Sequence, residues 1–228
     1  MNNLLALHGA LGSKAQFTEL EKTLGGDFEL YSLNFSGHGG LEIPDEPFSI
    51  ELFARDVLGW MEKKSFQKTN IFGYSMGGYA AMYLARHYPE KIEKIFTMAT
   101  KFDWTPESSL KESKMLDTQK IKDKVPEFWE ELKIRHAPQN PEEILRKTAE
   151  MMINLGKKNV LNVDDYGKIE HEVVVGIGDR DKMVTLDETK EVYKNLRNGR
   201  LLVLPETPHP LEKVNQERLK YEITSFFK

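Results

Sequence analysis

Cysteine is absent from the 228-residue chain, and that absence excludes disulfides, thiol nucleophiles and cysteine-ligated zinc together. It fits a reducing compartment. No stretch is long or apolar enough to span a bilayer. The opening run, Met1 to His8, has no basic leader and is too short in its apolar part for a signal peptide. The expected location is therefore the cytoplasm. Charge of one sign is also missing. With 32 Lys and Arg against 36 Asp and Glu, the formal net charge is −4, so nothing points to nucleic acid or an anionic membrane as partner. The length suffices for one α/β core, with or without a small insertion.

What is present is an alternation of short apolar runs and helical segments. Leu4 to Leu7 is a continuous apolar run ended by His8-Gly9-Ala10-Leu11-Gly12. Asn70 to Tyr74 and the β-branched Val173 to Ile177 are similar, and Ile92 to Met98 reads as another buried strand. Runs without polar alternation suit central parallel strands covered on both faces. Glu29 to Phe35 and Arg200 to Leu204 read as two further strands. Between them, Ser13 with Gln16 reads as a capping box opening a helix that buries Phe17, Leu20 and Leu24. Ser49 opens a second helix, with Ile50, Phe53, Val57, Trp60 and Met61 at helical spacing. Met76 to His87, stopped by Pro89, Leu186 to Asn195 and Leu211 to Phe227 are the remaining core helices. His87 is read as a favourable charge at a helix C-terminus.

The alternation fails from Thr100 to about Asp165. Lys and Glu interleave there, no strand-like run occurs, and Pro106, Pro126, Pro138 and Pro141 cut the stretch into short helices. The expected division is a core domain of residues 1–99 and 166–228 with a helical insertion of residues 100–165. His136, inside the insertion, reads as a surface residue, with a place in a pocket as the lesser alternative. His171 reads as structural.

One stretch carries chemistry. Ser75 sits at the joint between the apolar run ending at Tyr74 and the helix beginning at Met76. So sharp a reversal strains the backbone and brings neighbouring chain close, and Gly73 and Gly77 remove the side chains that would clash. The hydroxyl is pushed clear of the strand ends with a helix N-terminus behind it, whose free N–H groups and partial positive charge suit a developing oxyanion.

Gly73-Tyr74-Ser75-Met76-Gly77 resembles the nucleophile elbow of the α/β-hydrolase superfamily, in its serine branch with a helical cap. His8-Gly9-Ala10-Leu11-Gly12 resembles that family's oxyanion loop, Gly178-Asp179-Arg180-Asp181 its acid signature, and His209, after the last strand, its loop histidine. The resemblance covers nearly the whole chain. It implies the α/β-hydrolase fold, with about six mostly parallel strands, helices on both faces and an inserted helical cap roofing the serine. The Glu29–Phe35 strand should lie at one edge, without the antiparallel pair that opens the full family sheet. It implies Ser75 as nucleophile, His209 as general base and Asp181 as the acid, with Asp179 and Asp103 as alternatives for the acid. The backbone N–H groups of Ala10 and Met76 become the oxyanion hole. Leu11, Phe102 and Trp104 are expected to line the substrate pocket. His38, in Ser36-Gly37-His38-Gly39-Gly40, corresponds to a structural histidine, and a catalytic role for it is the lesser reading. Pro208 stands before His209 where most members have glycine.

The activity so implied is hydrolysis of a small ester or thioester through an acyl-enzyme, with turnover rising with pH as His209 loses its proton. No metal and no organic cofactor are expected. The expected partner is the small-molecule substrate, and oligomeric state is left open. Serine at the elbow argues against the dehalogenase and epoxide hydrolase branches, which use a carboxylate nucleophile. The sequence is also similar to the menaquinone-pathway branch that eliminates pyruvate, but that branch has arginine where this chain has Tyr79. A lyase or C–C hydrolase of that kind, and a non-enzymatic receptor using the same pocket, are the alternatives.

Overall fold

Residues apolar at every position of a strand need cover on both faces, and the computed structural model, which describes residues 2–228, supplies it. The six strands are β1 (Asn2–Leu7), β2 (Phe28–Ser32), β3 (Thr69–Tyr74), β4 (Ile92–Met98), β5 (Glu172–Gly178) and β6 (Asn198–Leu204). They form one sheet in the order β2-β1-β3-β4-β5-β6, with every neighbouring pair parallel. Ten α-helices are described: α1 (Thr18–Leu24), α2 (Ile50–Lys63), α3 (Met76–His87), α4 (Pro106–Ser113), α5 (Thr118–Lys124), α6 (Pro126–His136), α7 (Pro141–Lys157), α8 (Val163–Tyr166), α9 (Leu186–Asn195) and α10 (Gln216–Phe227).

Successive strand residues go to opposite layers. Leu4, Ala6, Phe72, Phe96 and Val174 pack with α1 and α10, whereas Leu5, Leu7, Ile71, Ile95, Val173 and Val175 pack with α2, α3 and α9. Level registers, Leu7 with Gly73, Tyr74 with Met98 and Met98 with Gly176, bring the loops after β1, β3, β4 and β5 to one edge of the sheet. Parallel topology places functional loops at that carboxyl edge.

Helices α4 to α8 lie between β4 and β5. Pro106, Pro126 and Pro141 each occupy a first helical turn, where the missing N–H costs nothing, and Pro138 follows the end of α6. Ile121, Leu132, Ile144, Leu145 and Leu155 share the core beneath α2 and α3, while Met115 faces solvent at 57% exposure. The ammonium of Lys147, buried on α7, donates to the carbonyls of Pro44, Asp45 and Glu46 at 2.6, 3.2 and 3.0 Å, tying the insertion to the core. Among the described residues no helix is long and apolar enough to cross a membrane.

Three local expectations are corrected. Ser13 makes no side-chain cap. Its carbonyl receives Gln16 N–H, and the Gln16 amide turns away to Glu212 at 2.8 Å, so the chain enters α1 through a 3-10 turn, Lys14–Phe17. β2 ends at Ser32, leaving Leu33 and Phe35 buried in the loop beyond it. The closing helix is broken: a 3-10 turn at Leu211–Lys213 is followed by α10, because Asn215 caps a fresh start by accepting from Arg218 N–H at 2.9 Å.

Candidate active site

Ser75 adopts φ 51° and ψ −117°, a conformation that non-glycine residues rarely hold. Its N–H donates to Met98 O at 2.8 Å, and its own carbonyl accepts from Gly78 and Tyr79 N–H at 3.0 and 3.3 Å, which starts α3. Side chains have no room around it. A Cβ on Gly73 would sit 2.5 Å from Gly78 Cα, and one on Gly77 would sit 2.2 Å from Leu7 O. Met76 is the first residue of α3, so its N–H has no carbonyl partner within the helix.

The loops after β5 and β6 meet beside this turn. His209 Nδ1 lies 2.8 Å from Asp181 Oδ2, and the Asp181 side chain is 1% exposed. Asp181 Oδ1 accepts from Met183 and Val184 N–H at 2.8 and 2.9 Å. Burial pushes this carboxyl up, but the His209 hydrogen bond and charge and the two amides outweigh it, holding Asp181 below the ordinary carboxylate value. A carboxylate facing Nδ1 fixes the proton there and leaves Nε2 as the free lone pair. The backbone carbonyl of His209 accepts from the Tyr74 hydroxyl at 3.0 Å, so the residue before Ser75 also anchors the histidine.

The alternatives for the acid are placed elsewhere. Exposed Asp179 accepts from Thr207 N–H at 3.1 Å and so shapes the histidine loop without being the partner that meets the ring. Asp103 is exposed, with its N–H 3.5 Å from Glu188.

Ser75 and His209 open on one cavity of about 530 Å³, lined also by Ala10, Leu11, Met76 and Trp104 and, from the inserted helices, by Leu116, Phe128, Met151, Met152 and Leu155. Phe102 is not part of it. It is 3% exposed, packed edge-on to Tyr79 and Tyr166, and it borders a separate cavity of about 370 Å³. Proximity along the chain to the end of β4 was a poor guide, because the backbone turns between Ala99, at φ 54°, and Trp104.

Three histidines lie by the loop from Gly9 to Leu11. His136 is fully buried rather than at the surface: its Nε2 donates to Leu11 O at 3.1 Å and its Nδ1 accepts from Gly39 N–H at 3.1 Å. His8 donates from Nδ1 to Gly9 O at 2.8 Å and accepts at Nε2 from Phe35 N–H at 3.2 Å. His38, ringed by His8, Phe48, Phe53 and His136, donates to Ser36 O at 3.0 Å and does not border the cavity. Burial is the main cause that lowers all three, His8 and His136 to about 4. Exposed His87 packs on the Tyr83 ring, and His171 bonds Pro89 O at 2.9 Å. Sequence reasoning missed Tyr74 and Arg135 and misplaced His136 at the surface. The first is legible from its place next to the serine, but the other two depend on how the insertion folds back, which no local pattern encodes.

Residues 2–151 match the family model described as alpha/beta hydrolase fold. The chain belongs to that family, as an α/β-hydrolase enzyme. It is 26% identical over 253 aligned residues, covering 98% of this chain and 89% of the other, to a Bacillus subtilis (strain 168) protein named as a candidate 2-succinyl-6-hydroxy-2,4-cyclohexadiene-1-carboxylate synthase. It is 24% identical over 223 residues to the human Serine hydrolase BPHL, covering 91% of this chain and 73% of that one. Among solved structures, the enol-lactonase from Burkholderia xenovorans LB400 superposes with a TM-score of 0.78 at 18% identity, covering 99% of this chain and 90% of the other.

Proposed function

We propose that this enzyme is a serine hydrolase that cleaves a small ester or thioester through an acyl-enzyme. The observation that carries this reading is the 2.8 Å bond between His209 and Asp181, with His209 and the strained Ser75 opening on one cavity. A neutral serine hydroxyl is a weak nucleophile. His209 Nε2 takes the Ser75 proton as Oγ forms a bond to the substrate carbonyl carbon, and the carbonyl oxygen takes the negative charge. Ala10 and Met76 N–H groups hold that oxyanion. Collapse expels the alcohol or thiol, which leaves with the proton from His209. Water, deprotonated by the same imidazole, then attacks the acyl-enzyme, and collapse releases the acid and returns the proton to Ser75. Asp181 keeps the imidazole in one tautomer and stabilises its charged form.

Residues 100–165 serve in this reading as a cap domain whose apolar side chains shelter the acyl or leaving group from water. The similarity to a candidate synthase raises elimination as a second reading. Against it stands Tyr79, 1% exposed with its hydroxyl bonded to Asn159, where that branch places a carboxylate-binding arginine. The test is a panel of ester, thioester and lactone substrates with a fluorophosphonate probe, on the native protein and Ser75→Ala. The expected result is turnover and probe labelling that both vanish in the variant. Turnover that survives the substitution overturns the proposal.

A further inference from the structure

The cavity has a second polar feature, far in sequence from its catalytic floor. Glu112, on α4, borders it and is only 4% exposed. Its Oε2 has no hydrogen-bond partner, and no ion pair involves it among the described residues. Trp104 Nε1–H, on the same cavity wall, is likewise buried without a partner. Two of the cations that border the same cavity are committed elsewhere. Lys101 is held by Glu188 at 3.5 Å, and Arg135 by Leu11 O at 2.9 Å and Glu131 at 3.4 Å. Lys213, the remaining cation on the wall, is exposed. The same cavity is lined by the apolar Leu116, Phe128, Met151 and Met152 as well as by Glu131 and Arg135.

A buried carboxyl without a partner is costly, and it is retained where something else completes it. Both of its protonation states accept a hydrogen bond, and the ionised state repels another carboxylate. The buried indole N–H of Trp104, on the same cavity, offers a complementary donor.

We propose that Glu112, with Trp104, is the specificity-determining end of the pocket and selects esters or thioesters whose far end carries a hydrogen-bond-donating group, a hydroxyl or an amine, over those ending in methyl or carboxylate. This rests on the ester-hydrolase reading for its substrate and on the buried acid for its selectivity. A site built around a polar partner rejects analogues that lack it far more strongly than an apolar pocket distinguishes a methylene.

The experiment uses the full chain and p-nitrophenyl esters of matched acids ending in methyl, hydroxyl, ammonium or carboxylate, over a series of chain lengths, compared by kcat/KM. In the native protein the hydroxyl or ammonium ester should lead the methyl and carboxylate esters by about tenfold or more. Glu112→Leu should reverse the order in favour of the methyl ester, and Glu112→Gln should keep the hydroxyl preference and lose the ammonium one. The same order of the four ends in native and Glu112→Leu protein overturns the inference and leaves Glu112 as a carboxyl solvated by cavity water. Binding of the corresponding free alcohols, amines and diacids to Ser75→Ala, read by tryptophan fluorescence, measures the same preference without turnover. Failure of catalysis is thereby separated from failure of the selectivity.

Discussion

Arg135, on the inserted helix α6, donates Nη1 to the backbone carbonyl of Leu11 at 2.9 Å, across 124 residues of chain. His136, the next residue, donates to the same oxygen at 3.1 Å. Leu11 itself is held at φ 58°, a conformation that needs outside support. The insertion thus fixes the loop that carries Ala10, and the oxyanion donor proposed there is oriented from above as well as by its own strand.

Arg135→Met should therefore lower kcat about tenfold or more while KM changes less, since a displaced oxyanion donor weakens the transition state more than the ground state. Steady-state kinetics with a p-nitrophenyl ester, alongside a urea denaturation curve, is the check. A kcat within twofold of the native value would show that Ala10 needs no such support.

The two aspartates near the histidine loop should separate by phenotype. Asp181→Asn removes the carboxylate from the 2.8 Å bond to His209 and should cost about 10³–10⁴ in kcat with little loss of fold. Asp179→Asn weakens only the brace to Thr207 and should cost less than about tenfold. Equal losses in both variants would remove the distinction.

Tyr74→Phe leaves the His209 carbonyl without its donor at 3.0 Å but keeps the packing of the ring. The expected loss is about 1 kcal/mol in transition-state stabilisation, near fivefold in kcat/KM, from a less well aimed imidazole. An unchanged kcat/KM would mean that Asp181 alone orients the ring.

How much of this was legible in sequence varies by element. Ile92–Met98 and Met76–His87 coincide with their expected ranges because nearly all of their apolar residues are buried, and Leu186–Asn195 keeps its range although Leu186 and Tyr193 are exposed. β2 at the sheet edge follows likewise from the order of the runs. The failures are non-local. Ser13 with Gln16 has the letters of a capping box, but Glu212, 196 residues away, claims the glutamine. His136 sits among charged residues and looks exposed until Leu11 and Gly39 close on it. Phe102 follows the strand bearing Met98, yet turns into the core beside Tyr79 rather than into the cavity.

The buried histidines make stability depend on pH. In the unfolded chain each titrates near its ordinary value of 6.5, whereas folded His8 and His136 titrate at about 4. The unfolded state therefore binds more protons between those values, and stability present above 6.5 is lost as pH falls toward 4. Urea denaturation should show a fall of about 2 kcal/mol or more from pH 7 to pH 5, made smaller by His136→Gln. A midpoint independent of pH over that range would mean that these rings accept protons in the folded state.

The most direct measurement is of the covalent intermediate itself. The protein is mixed with an activated p-nitrophenyl ester, quenched in acid within the first turnovers, and examined by intact-mass and peptide mass spectrometry. The expected result is a single acyl group on Ser75, absent in Ser75→Ala and longer-lived in Asp181→Asn. Full turnover with no acyl group on Ser75 at any time, or an undiminished rate in Ser75→Ala, would contradict nucleophilic catalysis by this serine.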